Sequence, residues 1–107
     1  MPHIELKYSN NLTIEANHLF DTIEKTINMK DPFAGECKCR AYPAPFYKYS
    51  HIFIEISMLP KTHRDKIFTG ELMHALEEQI KKFIPKEAHF SLSIKYNLEN
   101  YITRDSL

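Results

Sequence analysis

Several features are scarce in this chain of 107 residues, and each absence excludes a class of function. Only two glycines occur, so a glycine-rich loop that cradles phosphate is excluded. The longest apolar runs are a few residues, whereas a membrane-spanning helix needs about 20. Fourteen basic and fourteen acidic residues give no net charge, so no overall field draws the chain to nucleic acid or to anionic lipid. We therefore expect neither a nucleic-acid partner nor a membrane partner.

Cysteine and metal-binding patterns are also sparse. Cys37 and Cys39 are the two cysteines, too few and too close together for a disulfide-built fold, and they fit a reduced, cytoplasmic protein. The polar opening from Met1 to Glu5 does not resemble a signal peptide. Six histidines occur without H-x-x-x-H or clustered Cys/His spacing, so no metal site is predicted. No serine elbow, Walker loop or dinucleotide fingerprint supports acyl transfer or nucleotide chemistry.

The residues that are present have the composition of one ordinary globular domain. Hydrophobic residues make up 43% and charged residues 26% of the chain, a balance typical of water-soluble globular proteins. Domains usually contain roughly 100–150 residues. We therefore predict a single domain over residues 1–107.

Alternation of apolar and polar residues predicts four strands. The predicted strands cover residues 3–8, residues 37–42, residues 51–59 and residues 88–96. Prolines at positions 43 and 45 either confine the second strand to a sheet edge or end it. The third strand is apolar enough to lie centrally in the sheet. Residues 97–107 show no clear period and are predicted to form a tail.

Apolar residues at helical spacing predict two helices between these strands. The first runs from Leu12 to Ile27, and Ser9-Asn10-Asn11 supplies side chains that can cap it. The second has an apolar stripe from Ile67 to Phe83, with Thr62 as a candidate cap and Asp65 suited to the positive start of the helix.

The order of these elements predicts an α+β fold built from two β-α-β units of similar pattern, which suggests a duplication. Right-handed crossovers place both helices on one face of a four-stranded sheet. An uncovered face of mixed polarity usually packs against something, and copies of the same chain are the simplest partner. We predict that this open face carries His3, Glu5, Lys38, Arg40, Phe53, Glu55 and Ser91.

Pro2 is the most informative residue for function. Initiator methionine is normally removed before a small residue such as proline, and removal of Met1 would leave a secondary amine at the start of the first strand. Burial of that amine disfavours its charged form and lowers its pKa. An amine with a pKa near neutrality can take a proton from one atom of a substrate and return it to another.

The opening Met1-Pro2-His3 before a strand, Arg40-Ala41 in the second strand and the run Gly70 to Leu76 in the second helix occur together in this order. With this order and spacing, the sequence from residue 1 to about 96 resembles the tautomerase superfamily, and within it the 5-carboxymethyl-2-hydroxymuconate isomerases. The resemblance implies a duplicated β-α-β fold assembled as a trimer, with active sites near subunit boundaries. It also implies a cofactor-independent isomerase of aromatic catabolism.

The same resemblance implies roles for individual residues. Pro2 would be the proton-transferring base, and Arg40 would hold the carboxylate or carbonyl end of the substrate, for which the planar guanidinium is well suited. Arg64 is a candidate second cation for a multiply charged substrate, although a surface position on the second helix is the simpler expectation. His3 and Phe53 are further candidates for substrate binding, and Phe53 is also a candidate for packing between subunits.

Two alternative functions remain at the level of the sequence. One is a non-catalytic binding or assembly module, which retention of Met1 would favour because the Pro2 nitrogen would then be an amide. The other is a ferredoxin-like nucleic-acid domain. Glu5 and Glu55 on the predicted open face and the zero net charge argue against the second.

Overall fold

The alternating segments of the sequence form strands, and the segments with helical spacing form helices. A computed structural model describes residues 1–105, and Ser106 and Leu107 of the predicted tail lie outside the described residues. The elements in chain order are β1 (His3–Ser9), α1 (Ala16–Lys30), β2 (Lys38–Ala44), β3 (His51–Ser57), α2 (Lys66–Ile80), a short 3₁₀ helix (Lys81–Phe83) and β4 (His89–Lys95).

The four strands form one sheet in the order β2-β1-β3-β4. The pairs β1–β2 and β3–β4 are parallel, whereas β1 and β3 are antiparallel at the centre. The predicted α+β fold with two β-α-β units is therefore confirmed, as are the edge position of β2 and the central position of β3. The register aligns His3 with Lys38 and Ser57, and Ser57 with Lys95. These four residues mark the end of the sheet at which β1 and β2 begin and β3 and β4 end. We call it the Pro2 end.

The hydrophobic core lies between the helices and one face of the sheet. Burial of one such aliphatic side chain contributes about 1.5–3 kcal/mol, so this face and the helices stabilise each other. The apolar residues with 0% exposure are Ile4, Leu6, Leu19, Ile23, Ile27, Ile54, Ile56, Met58, Leu72, Leu76 and Ile80. The side chains that alternate with the buried ones leave the opposite face mostly polar, as predicted.

The predicted cap of the first helix is wrong. The helix begins at Ala16, and Glu15 at the N-cap position makes no side-chain hydrogen bond there. The side chains of Ser9 and Asn11 instead connect the end of β1 to the start of β3. The Ser9 Oγ accepts a hydrogen bond from the His51 backbone N–H at 3.0 Å, and the Asn11 amide donates to Ser50 Oγ at 2.7 Å.

The start of α2 also differs from the prediction. Asp65, rather than Thr62, is the N-cap, and its carboxylate accepts a hydrogen bond from the Phe68 backbone N–H at 2.9 Å. Ile67, part of the predicted apolar stripe, is 75% exposed and does not belong to the core.

Candidate functional site

Pro2 is buried immediately before β1 and continues the hydrogen-bonding pattern of the sheet. Its carbonyl oxygen accepts a hydrogen bond from the Lys38 backbone N–H at 2.9 Å, which fixes the start of β1 against β2. Met1 is attached and half-buried, so the nitrogen of Pro2 is an amide in this form of the chain. The backbone therefore holds Pro2 in a defined place, and its nitrogen becomes basic only when Met1 is removed.

The surroundings of the chain terminus disfavour positive charge. Burial lowers the pKa of the Met1 amino group below its ordinary value, and the positive charges of Arg64 and Lys61 lower it further. Asp31 acts in the opposite direction, with a smaller effect. An amine at this end of the sheet is thus more easily deprotonated than one in water.

Arg40 and His3 meet on the open face of the sheet, and His3 directly follows Pro2 in the chain. A guanidinium nitrogen of Arg40 lies 3.4 Å from His3 Nδ1, and the Tyr101 hydroxyl lies 2.8 Å from His3 Nε2. Burial lowers the pKa of His3, and the nearby Arg40 charge lowers it further. The arrangement joins an exposed guanidinium, a neutral imidazole and a phenol next to Pro2.

Arg64 occupies a different position from the one expected. It precedes α2 and is buried with 7% exposure rather than lying on the surface. Its Nε and Nη2 donate to Asp31 Oδ2 at 2.9 and 2.8 Å, and its Nη1 donates to the Leu59 carbonyl at 2.8 Å. The reason for its burial is Asp31, which neutralises the guanidinium and lies at the end of α1.

Asp31 has a carboxylate that stays ionised although it is buried. Burial alone would raise its pKa, but hydrogen bonds from His63 and Arg64, together with the charge of Arg64, lower the pKa below its usual value. The His63 Nε2 lies 3.1 Å from Asp31 Oδ2. The pair of Asp31 and Arg64 therefore forms a fixed polar link between the end of α1 and the start of α2.

Phe53 lies on the open face, as predicted, with 36% exposure. The register aligns it with Lys7, four residues along β1 from His3, which corresponds to roughly 13 Å along a strand. Glu55, between them, accepts hydrogen bonds from Lys7 and Lys95 at 2.9 and 3.2 Å. Within one chain, Phe53 is not brought to the Pro2 end.

The two cysteines lie next to this region without being reactive. Both thiols are free, as expected. Burial raises the pKa of Cys37 to about 12 and that of Cys39 to about 11. Since the thiolate is the nucleophilic form, neither side chain is suited to covalent catalysis near neutral pH.

Three grooves on the surface of the chain are lined by residues other than Pro2 and Arg40. A groove of about 380 Å³ lies between α1 and α2, one of about 340 Å³ lies between α2 and β4, and one of about 490 Å³ runs from Arg64 to Tyr96. None of these three includes Pro2 or Arg40. Residues 1–105 contain no cluster of His, Cys, Asp and Glu that could hold a metal ion. In the same part of the chain, no helix is long and apolar enough to cross a membrane.

Comparisons with known proteins identify structures of the same fold. No family model and no curated protein matches the chain. A solved 5-carboxymethyl-2-hydroxymuconate delta-isomerase is 14% identical, with a TM-score of 0.75 over 99% of this chain and 89% of that chain. A 5-carboxymethyl-2-hydroxymuconate isomerase from Deinococcus radiodurans R1 is 17% identical, with a TM-score of 0.66 over 98% of this chain and 90% of that chain.

A more distant match extends the same relationship. A macrophage migration inhibitory factor-like protein from Entamoeba histolytica is 10% identical, with a TM-score of 0.57 over 99% of this chain and 98% of that chain. Identities this low carry information on the fold and not on the activity.

Two residues of this region were missed at the level of the sequence. Tyr101 belongs to a segment without periodicity, and Asp31, followed by Pro32, is typical of the end of a helix and indicates no long-range contact. The local sequence contains no sign of either contact, because their partners lie 98 and 33 residues away along the chain. The chain has three arginines, and an arginine that is buried requires a counter-charge. This requirement was the sequence feature closest to predicting the contact of Asp31 with Arg64. The chain has a tautomerase-like fold: a four-stranded mixed sheet of two β-α-β units, shared with two solved 5-carboxymethyl-2-hydroxymuconate isomerases and with the macrophage migration inhibitory factor-like protein.

Proposed function

We propose that this chain is a cofactor-independent isomerase, a tautomerase that moves a proton in 2-hydroxymuconate-like enol acids to give the 2-oxo isomer. The base is the secondary amine of Pro2 after removal of Met1. The observation that supports this most is the burial of Pro2 directly before β1, where its carbonyl is fixed by the Lys38 N–H at 2.9 Å. Burial disfavours the charged form of an amine and so lowers its pKa, and a neutral amine can act as a base without a metal or an organic cofactor.

The proposed reaction transfers one proton in two steps. The neutral Pro2 amine removes the proton of the 2-hydroxyl group, and the electron pair of that O–H bond becomes the C=O bond of the 2-oxo product. The diene shifts, and the ammonium of Pro2 returns the proton to a carbon of the diene. Arg40 binds the carboxylate and stabilises the negative charge on the dienolate oxygen as it develops.

The other candidate residues have supporting roles in this proposal. The donors of Arg64 are used by Asp31 and Leu59, so in this proposal it acts on the Pro2 amine through its positive charge, which lowers the pKa of the Met1 amino group at the same end of the chain. His3 orients Arg40. The substrate class follows the printed names of two solved neighbours, both 5-carboxymethyl-2-hydroxymuconate isomerases.

A homotrimer belongs to the same proposal. The open face of the sheet exposes Phe53 beside the charged residues Lys7 and Glu55, and it needs a cover that the single chain does not provide. A second copy of the chain on this face would bring Phe53 of one subunit towards the Pro2 end of another. That assembly would enclose a site that is open in one chain.

Steady-state ketonisation of phenylenolpyruvate tests the proposal, with protein shown by intact mass to lack Met1. Pro2→Ala and Arg40→Ala should each lower kcat/KM by at least about a hundredfold, because general base catalysis typically contributes 10²–10⁴-fold. Lys48→Ala is the matched control, since it removes a cation at the opposite end of the sheet and should leave the rate unchanged. Wild-type rates in both site variants would contradict the proposal.

A non-catalytic carboxylate-binding or assembly module is the second candidate. Retention of Met1 would favour it, because the nitrogen of Pro2 would then be an amide without basicity, while Arg40 is exposed and can bind a carboxylate. Complete retention of Met1 in the native protein, measured by intact mass, would support this function and exclude the isomerase.

A further inference from the structure

The segment that follows β4 returns to the Pro2 end. β4 ends at Lys95, which is aligned with Ser57 of β3, and Ser57 is aligned with His3 of β1. The chain therefore leaves the sheet at the Pro2 end, where β1 begins. Tyr101 then packs edge-on against His3, with ring centroids 5.8 Å apart and planes at 84°. Its hydroxyl oxygen lies 2.8 Å from His3 Nε2.

The hydrogen bonds of His3 determine which of its nitrogens carries the proton. The guanidinium of Arg40 can only donate, so His3 Nδ1, at 3.4 Å, must be the accepting, unprotonated nitrogen. In a neutral imidazole, the proton then lies on Nε2, which donates to the Tyr101 oxygen. Since His3 uses that oxygen as an acceptor, the O–H of Tyr101 remains free to donate.

His51 provides a contrast within the same molecule. It opens β3 as His3 opens β1, but its Nδ1 lies 2.8 Å from the Tyr49 carbonyl oxygen. A carbonyl only accepts, so the proton of His51 lies on Nδ1. The neutral tautomer of His3 is thus set by Arg40 and not by its position at the start of a strand.

We infer that Tyr101 is a substrate-contacting residue whose O–H donates to the carboxylate or enolate oxygen of an enol acid held by Arg40, and that His3 positions it. This inference rests on the proposed function and names an additional residue of its site. Arg40, His3 and Tyr101 form one chain of hydrogen bonds beside Pro2. Among residues 1–105, the Tyr101 hydroxyl has no other hydrogen-bond partner, which leaves its proton for the ligand.

Kinetics with Tyr101→Phe test the contact. The variant keeps the ring that packs on His3 and removes only the hydroxyl, so kcat/KM for phenylenolpyruvate should fall about tenfold to a hundredfold, the effect expected for a hydrogen bond to a charged group. The loss appears in KM if the partner is the substrate carboxylate and in kcat if it is the enolate oxygen. Tyr47→Phe, with the same change at the opposite end of the sheet, should have wild-type kinetics. Wild-type kcat and KM in Tyr101→Phe would overturn the inference.

The positioning role of His3 has a separate readout. In ¹⁵N NMR spectra at neutral pH, His3 should be the Nε2–H tautomer and His51 the Nδ1–H tautomer, and Tyr101→Phe should shift the His3 ring resonances alone. His3→Gln, which offers an amide N–H to Tyr101, should retain more activity than His3→Ala. An Nδ1–H tautomer at His3, or equal activity of the two variants, would overturn the positioning role.

A failure of the proposed function can be distinguished from a failure of this inference. If wild-type protein without Met1 does not convert phenylenolpyruvate, the isomerase proposal is wrong. The role of Tyr101 is then tested by the binding of phenylenolpyruvate, which is followed in the NMR spectra. Weaker binding to Tyr101→Phe than to the wild type would support the contact. Equal binding, or no binding to either protein, would overturn it.

Discussion

The two β-α-β halves have the same architecture, but the proposed base, Pro2, and the guanidinium of Arg40 both belong to the first half. Each half opens with a strand whose first residue is a histidine, His3 in β1 and His51 in β3. His51 is bound to the backbone of its own segment, at Tyr49. His3 instead contacts Arg40 of the neighbouring strand and Tyr101 of the C-terminal segment. The two equivalent strand starts therefore differ in their partners: His3 contacts two other segments of the chain, whereas His51 contacts only its own segment.

The halves also differ in how their helices begin and in how they are joined. α1 begins without a side-chain cap, whereas α2 begins with the carboxylate of Asp65 bound to the Phe68 N–H. The ion pair of Asp31 and Arg64 connects the end of the first helix to the segment before the second. The stability of the domain should therefore respond unequally to equivalent substitutions in the two halves.

Removal of the ion pair between Asp31 and Arg64, which links the two halves, should have the largest effect on the free energy of unfolding. Asp31→Ala leaves the guanidinium of Arg64 buried without its counter-charge, which typically costs about 3–5 kcal/mol. Urea unfolding measures this loss, and a variant as stable as the wild type would contradict the account of the link. Lys7→Ala is the control, because its ion pair with Glu55 is exposed at the lysine and should contribute less than about 1 kcal/mol.

Substitution at the two helix starts should have a smaller effect and sharpens the comparison. Asp65→Ala removes the cap of α2 and should lower the free energy of unfolding by about 0.5–2 kcal/mol. Glu15→Ala, at the same position of α1, removes no side-chain hydrogen bond of the cap and should change stability by less than about 0.5 kcal/mol. Thermal or urea unfolding of both variants measures the difference, and equal losses would show that the two starts are equivalent.

Much of the fold could be predicted from local sequence patterns. Alternation in β1 and β3 defines which side chains are buried, since successive residues of a strand point to opposite faces. The prolines after residue 42 indicated the edge position of β2, because proline cannot donate to a neighbouring strand. Boundaries were less predictable: Ser9 and Asn11 have the chemistry of a cap, but their hydrogen bonds are used across the sheet at His51 and Ser50.

The candidate site was predictable only where a residue type carried the information. Pro2 and Arg40 stood out by their position and chemistry, and their roles remain proposals. The contacts of Tyr101 and Asp31 depend on the path of the whole chain, which brings the C-terminal segment to the start of β1 and the end of α1 to the segment before α2. No periodic pattern in the local sequence predicts long-range contacts of this kind.

The most direct measurement compares two forms of the same protein that differ only at the terminus. One form lacks Met1 and has a free Pro2 amine, and the other retains Met1, each verified by intact mass. Steady-state ketonisation of phenylenolpyruvate should be at least about a hundredfold faster for the form with the free amine, because only that form has the proposed base. Equal rates for the two forms would contradict the assignment of Pro2 as the base.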